Sequence, residues 1–173
     1  DSRSQYQFRH IITFLVFLAG LAAVYRIALL RFSDWRLATL AAAMLLLSPR
    51  MFAEGFYNNK DIVFMSAFVV AGFTMLKFLL KPTLPGGVVH ALASAVAIDI
   101  RIMAVMIPLA TITLLGALAL RGELRARRAI PSALCYVLAT MVFVYALWAW
   151  LWVGTMDGSA WLSPFIKVAQ VYG

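Results

Sequence analysis

Two short polar stretches between long apolar runs hold the residues of this sequence that could carry out chemistry. One covers positions 48–61 and ends at Asp61, and the other is Asp99-Ile100-Arg101. A carboxylate such as Asp61 can hold a metal ion, a sugar hydroxyl or an acceptor group. Converging cations suit a phosphate or pyrophosphate, because an arginine can bind two of its oxygens at once. Asp61 is the candidate catalytic residue, and the candidate phosphate- or substrate-binding residues are Arg101, Lys60, Arg50 and Asn58.

The same residues also have a purely structural interpretation. Asp61, in the first turn of a helix, would be stabilised by the helix dipole, with Asn58 or Asn59 as the N-cap. Arg50 and Arg101 could extend their charged ends to the membrane interface, as long cationic side chains commonly do. The sequence leaves both interpretations open, and for Asp61 they are compatible with each other.

The composition indicates that the elements that carry these residues lie in lipid. Of the 173 residues, 64% are hydrophobic and 13% are charged, and the mean hydropathy is +0.92. A soluble domain of this size would expose large apolar patches. In hydrocarbon the backbone must pair its own polar groups, and continuous apolar runs are typical of helices rather than of a barrel. The predicted fold is all-α, a multi-pass transmembrane helical bundle in a single domain that covers residues 1–173.

About six spans are predicted, and the distribution of charge decides whether one ambiguous region forms one span or two. The predicted spans are 11–30, 37–52, 62–80, 87–98, 102–120 and 132–152. Residues 88–120 could instead form one tilted helix. With a break at positions 99–101, nine basic and two acidic residues lie on one side, and six basic and five acidic residues lie on the other. Net charges of +7 and +1 follow the positive-inside pattern, which favours two spans.

The spans at 37–52 and 87–98 are short. The second has about a dozen apolar residues, or roughly 20 Å of helix. A short span that ends in a polar break is tolerated at membrane depth when it lines a water-filled cavity. We therefore expect a polar cavity on the outer side, bounded by residues 48–61 and 99–101, which would contain Asp61 and Arg101.

Several other kinds of site are excluded or disfavoured. Cys135 is the only cysteine, so an intrachain disulfide cannot form. His90 has no partner at metal-ligand spacing and is interpreted as a hydrogen-bonded helix residue. The net charge of +8 comes from loops between apolar runs rather than from one patch, so nucleic acid is not an expected partner. The sequence contains no Walker loop and no nucleophile elbow.

The order of motifs resembles bacterial membrane glycosyltransferases of the GT-C type, which include protein mannosyltransferases and lipid A aminoarabinose transferases. The similar motifs are Arg9-His10, Ser48-Pro49-Arg50-Met51-Phe52, Phe56-Tyr57-Asn58-Asn59-Lys60-Asp61-Ile62 and Ala97-Ile98-Asp99-Ile100-Arg101. The resemblance implies a multi-pass protein of the bacterial inner (plasma) membrane. Such a protein moves a sugar from a polyprenyl-phosphate carrier to an acceptor on the periplasmic or extracellular face.

The resemblance also implies roles for two residues. Asp61 falls where the acid of the second outer loop lies, and Arg101 falls where a cation could hold the lipid phosphate. The first outer loop, with the acid that acts as general base, would precede Asp1, so this fragment alone is expected to be inactive. No cofactor is certain, and a requirement for a divalent metal stays open. The alternatives are a secondary transporter or permease, with charges inside its spans, and a structural subunit.

Overall fold

The computed structural model describes residues 2–57, 60–124 and 126–147, and all regular structure in these ranges is helical. A 3₁₀ helix, Ile102–Val105, lies directly before α6. The seven α-helices are α1 (Ser2–Phe32), α2 (Trp35–Leu47), α3 (Pro49–Tyr57), α4 (Asp61–Leu80), α5 (Leu84–Ile100), α6 (Met106–Leu120) and α7 (Ala126–Leu147).

Four stretches of helix in the described ranges are long and apolar enough to cross a membrane. Helices α2 and α3 together form a bent candidate, which raises the number to five, and α5 is a shorter apolar helix. An all-helical chain with four or five candidate spans is thus shown, and the expected number of about six stays a prediction. The four stretches are Gln7–Phe32, Asp61–Leu80, Ile102–Leu120 and Ile130–Leu147.

The segment expected as one span over 37–52 is instead two helices at an angle of 70°. The break is at Ser48, which has extended dihedral angles (φ −63°, ψ 115°). Pro49 is the physical reason: its ring disfavours a helical conformation in the residue before it, and it fits well at the first position of a new helix. The polar stretch that begins at Pro49 therefore forms the short helix α3 rather than a loop.

Contacts between helices fix their relative directions. Gly20 of α1 lies against Ser66 of α4, and Leu29 further along α1 lines a groove with Lys77 of α4. Helices α1 and α4 are therefore parallel. By the same reasoning α5 and α7 are parallel, because a Cβ on Gly87 would lie 3.4 Å from the carbonyl oxygen of Ser132, and Ala97 and Val144 pack in one cluster.

The region 88–120 is a hairpin rather than a continuous rod. His90 of α5 and Thr111 of α6 are hydrogen-bonded, with 2.9 Å between Nε2 and Oγ1. These residues lie at nearly equal distances along the chain from Arg101, so the chain reverses direction there. Helices α4 and α5 are also antiparallel, because Asp61 pairs with Arg101 while Thr74 bonds to His90.

This topology gives the bundle two different ends. The basic end is defined by the turns at 33–34 and 81–83 and by residues 121–124; the ion-pair end contains the beginning of α4 and the α5–α6 break. At the basic end the described part of the chain includes eight basic residues and two acidic ones, Asp34 and Glu123. The basic residues are Arg26, Arg31, Arg36, Lys77, Lys81, Arg121, Arg127 and Arg128.

The helices pack through small residues and a compact core. A Cβ added to Gly20 would lie 2.8 Å from the Cβ of Ser66, so the absence of a side chain lets α1 approach α4 closely. Ser66 is fully buried, and its hydroxyl has no hydrogen-bond partner within the described residues. Between α4, α5, α6 and α7, one core cluster contains Phe78, Ala91, Leu115 and Tyr136.

Candidate functional site

Asp61 and Arg101 form an ion pair between a guanidinium Nη2 and a carboxylate Oδ1, although 40 residues separate them in sequence. Asp61 is the first residue of α4. Arg101 directly follows α5 and has extended dihedral angles (φ −149°, ψ 127°). The α4–α5 hairpin thus brings the two polar stretches of the sequence together at one end.

The backbone around Arg101 keeps its hydrogen bonds although the helix is broken. Its N–H donates to the carbonyl oxygen of Ala97 at 3.1 Å, and its own carbonyl accepts from the N–H of Ala104 at 3.0 Å. The first bond ends α5, and the second begins the 3₁₀ turn. The guanidinium carbon lies 5.5 Å from the ring centroid of Phe64, one turn into α4, which is a cation–π distance. Carboxylate and ring together orient the arginine.

The ion pair is open to its surroundings. The side chain of Arg101 is 43% exposed and that of Asp61 is 54% exposed, so the pair lies at the surface of the described residues rather than in an enclosed cavity. At this exposure the ion pair contributes about 1 kcal/mol or less to the stability of the fold. Both groups can therefore be reached by a ligand at little structural cost.

Helix α1 extends past the ion pair. Because Gly20 is level with Ser66, Asp61 is level with about residue 15 of α1, five positions nearer its start. The continuous apolar run of α1 begins at Ile11, so it continues roughly 6 Å beyond the pair at 1.5 Å per residue. Exposed apolar side chains, Ile11 and Ile12, lie on this protruding part. The pair is thus recessed relative to the apolar tip of α1.

The other predicted site residues are placed differently. Arg50 is 83% exposed and pairs with Glu54 of its own helix, with 3.0 Å between Nε and Oε1, so the structure gives it an intrahelical partner. Lys60 is exposed and directly precedes α4, where its side chain makes no capping hydrogen bond. Asn58, and the predicted Asn58 or Asn59 cap, lie outside the described residues. Asp61 and Arg101 are therefore the pair on which a site can be built.

A buried polar network in the core was not predicted as a unit. His90 is fully buried, and its two ring nitrogens lie 2.9 Å from the hydroxyls of Thr74 and Thr111. The interpretation of His90 as a hydrogen-bonded helix residue is confirmed. Each threonine hydroxyl also reaches a carbonyl oxygen of its own helix. A neutral imidazole has one N–H and one acceptor nitrogen, so one threonine accepts from the ring while the other donates to it.

Two further residues complete this network. The ring of Tyr136 stacks on His90 with centroids 4.6 Å apart and planes inclined by 6°. The Tyr136 hydroxyl lies 3.1 Å from the Oγ of Ser94, one turn after His90 on α5. We call these five residues, from α4, α5, α6 and α7, the His90 network. The sequence signal that could have indicated it is the i, i+4 spacing of His90 and Ser94 in an apolar helix, which places two polar groups on one face.

The described residues do not offer a metal centre. Among residues 2–57, 60–124 and 126–147, no three histidine, cysteine, aspartate or glutamate side chains come close enough to share an ion. At the ion-pair end, Asp61 already has a guanidinium as its partner. The polar chemistry available here is recognition of an anion by Arg101 and of a hydroxyl by Asp61.

Comparisons with protein-family models, with curated proteins and with solved structures found no match to this chain. The functional argument therefore depends on the geometry of the two ends and on the motifs in the sequence.

Proposed function

We propose that this chain is part of an integral membrane glycosyltransferase that moves a sugar from a polyprenyl-phosphate donor to an acceptor. The observation that supports this proposal best is the meeting of Asp61 and Arg101 at one end of an apolar bundle, below the apolar tip of α1. A polyprenyl donor requires this combination, because its tail must stay in hydrocarbon while its phosphate and sugar reach polar side chains.

The proposed roles follow from the charges. Arg101 binds the donor phosphate and stabilises the negative charge that develops when the bond between the anomeric carbon and the phosphate oxygen breaks. The phosphate displaces the Asp61 carboxylate from the guanidinium, and the carboxylate then binds a hydroxyl of the sugar or acceptor. The acceptor oxygen forms the new bond to the anomeric carbon and loses its proton to a base.

The orientation of the bundle is part of the proposal. Basic side chains are concentrated at the end opposite the ion pair, and such an excess is typical of the cytoplasmic side. We therefore place the ion-pair end on the periplasmic or extracellular face of a bacterial inner membrane. We also propose that α5 crosses the bilayer as a sixth, short span, because it connects the basic end to Arg101 in a GT-C-like arrangement.

Donor cleavage by the complete protein in liposomes tests the proposed roles. With a panel of polyprenyl-phosphate sugars and acceptors, we expect Asp61→Asn and Arg101→Ala each to lower the release of polyprenyl phosphate by about 100-fold or more. Glu123→Gln and Arg36→Ala remove the same charges at the basic end and should leave the rate unchanged. Wild-type rates in both Asp61→Asn and Arg101→Ala would reject the assignment.

The His90 network supports a second candidate function, a secondary transporter or permease. Polar groups inside a transmembrane bundle often mark an ion or solute pathway. However, every polar side chain of this network has a hydrogen-bond partner, and none is a carboxylate, lysine or arginine. Uptake of ions or solutes by proteoliposomes, abolished by His90→Ala and unaffected by Arg101→Ala, would favour the transporter over the glycosyltransferase.

A further inference from the structure

A groove between α1 and α4 opens near the basic end of the bundle. It has a volume of about 160 Å³ and is lined by Arg26, Leu29 and Leu30 of α1 and by Phe73 and Lys77 of α4. Three apolar side chains and two cations thus line it. This combination matches a ligand with an anionic head and an apolar body.

The positive charge of the groove is not neutralised by the described part of the protein. Arg26 and Lys77 are both exposed, and the salt bridges within the described ranges involve neither of them. No acidic residue lines the groove. Lys77 lies over the Phe73 ring, with 5.5 Å between Nζ and the ring centroid, so its ammonium is held at the groove. Charge complementarity therefore favours an anionic occupant.

The two cations lie within two turns of the ends of their helices. Arg26 is six residues from the end of α1 and Lys77 three residues from the end of α4, or about 9 Å and 5 Å along the helices. Long cationic side chains at such positions extend toward the interface while their methylene groups stay in hydrocarbon. Leu30, on the groove wall, is 48% exposed and offers apolar surface for an acyl chain.

We propose that this groove is a binding site for an anionic phospholipid of the surrounding bilayer. The phosphate lies between the guanidinium of Arg26 and the ammonium of Lys77, and an acyl chain follows Leu29, Leu30 and Phe73 between α1 and α4. Basic pockets between transmembrane helices are known to bind anionic headgroups in this way. The inference depends on a membrane location and not on the glycosyltransferase, whose proposed donor binds at the opposite end.

Lipid retention tests the site without any assay of activity. The complete protein is reconstituted in nanodiscs of phosphatidylglycerol and phosphatidylcholine, extracted with mild detergent and analysed by native mass spectrometry. We expect wild-type protein to retain phosphatidylglycerol in preference to phosphatidylcholine. The double variant Arg26→Gln/Lys77→Gln should lower this preference roughly 10- to 30-fold, because each basic residue contributes to headgroup attraction.

Two further variants separate the groove from general charge and from misfolding. Arg31→Gln/Arg121→Gln removes the same charge at the same end, outside the groove, and should retain phosphatidylglycerol as wild type does. Leu30→Trp fills the groove and keeps both cations, and should also lower retention. Equal retention of both lipids by wild type, or unchanged preference in Arg26→Gln/Lys77→Gln, would overturn the proposal. So would a photoreactive group attached to the thiol of Leu30→Cys that crosslinks to another protein segment rather than to phosphatidylglycerol.

Discussion

The ion pair and the His90 network are the two polar regions that helices α4 and α5 hold together, and they differ in almost every physical respect. Asp61 and Arg101 are about half exposed and bear full charges. His90, Ser94 and Thr111 are completely buried, and each is paired with another side chain. An exposed pair contributes little to stability, whereas a buried polar group is costly when it loses its partner.

This difference indicates that the His90 network stabilises the bundle, whereas the ion pair is available for function. The His90 network connects four helices through hydrogen bonds and ring stacking, which favours one rotation of each helix relative to its neighbours. The ion pair lies at the end of that framework, where its groups can exchange partners. Substitutions in the network should therefore lower stability first, and substitutions in the pair should change activity with little effect on stability.

The largest stability effect is expected for His90→Ala. The substitution removes two hydrogen bonds and the ring that stacks on Tyr136, and it leaves a cavity between four helices. We expect the free energy of unfolding to fall by about 2–4 kcal/mol. Unfolding of the protein in mixed micelles by increasing denaturing detergent measures this change.

A matched control for His90→Ala is Leu92→Ala on the same helix. Leu92 is 45% exposed, so its truncation should change the free energy of unfolding by less than about 1 kcal/mol. Equal effects of the two substitutions would show that the His90 network does not stabilise the bundle.

A smaller effect is expected at the contact of α1 with α4. The added methyl group of Gly20→Ala would lie 2.8–2.9 Å from the Cβ and Cα of Ser66, so the helices must separate. We expect a loss of about 1–3 kcal/mol. Gly72→Ala is the control, because a Cβ there would meet no atom within 4 Å; it should be neutral or slightly stabilising. The same unfolding assay measures both variants. An equal loss of unfolding free energy in Gly72→Ala would show that the effect comes from the backbone and not from the contact with Ser66.

The smallest effect on stability is expected for the ion pair itself. Asp61→Asn, Arg101→Gln and the double variant should each change the free energy of unfolding by less than about 1 kcal/mol, because both side chains are exposed. The coupling energy from this double-mutant cycle should fall further at high salt. A coupling as large as the His90→Ala effect would contradict the contrast drawn between the two regions.

Much of the bundle could be predicted from hydropathy and charge. The break at Arg101 follows from the positive-inside argument, and it places Asp61 and Arg101 at the same end. The bend at Ser48 was missed, although Pro49 indicates it, because the predicted span was continued past Ser48-Pro49-Arg50 to the apolar residues Met51 and Phe52. The first predicted span, 11–30, lies within α1, and the helix itself begins at Ser2, since polar residues such as Arg9 continue it.

The His90 network could not be predicted as a unit from the sequence. Its members come from four helices that are apolar on most sides, and such helices have no strong periodicity to fix their rotation. His90 gave a signal, whereas Thr74, Thr111 and Tyr136 are residues that occur commonly in apolar spans. Only the packing of α5 against its neighbours, through small residues such as Gly87, decides which hydroxyls reach the imidazole.

Helix α5 has a consequence for the lipid around the protein. Its 17 residues extend about 25 Å, less than the roughly 30 Å of a typical hydrocarbon core. If α5 crosses the bilayer, the resulting hydrophobic mismatch is relieved by local thinning of the leaflet next to Arg101, since its neighbours α4 and α7 are longer. Thinning would draw headgroups and water down toward the Asp61–Arg101 pair, and would make bilayer thickness a variable that tunes access to it.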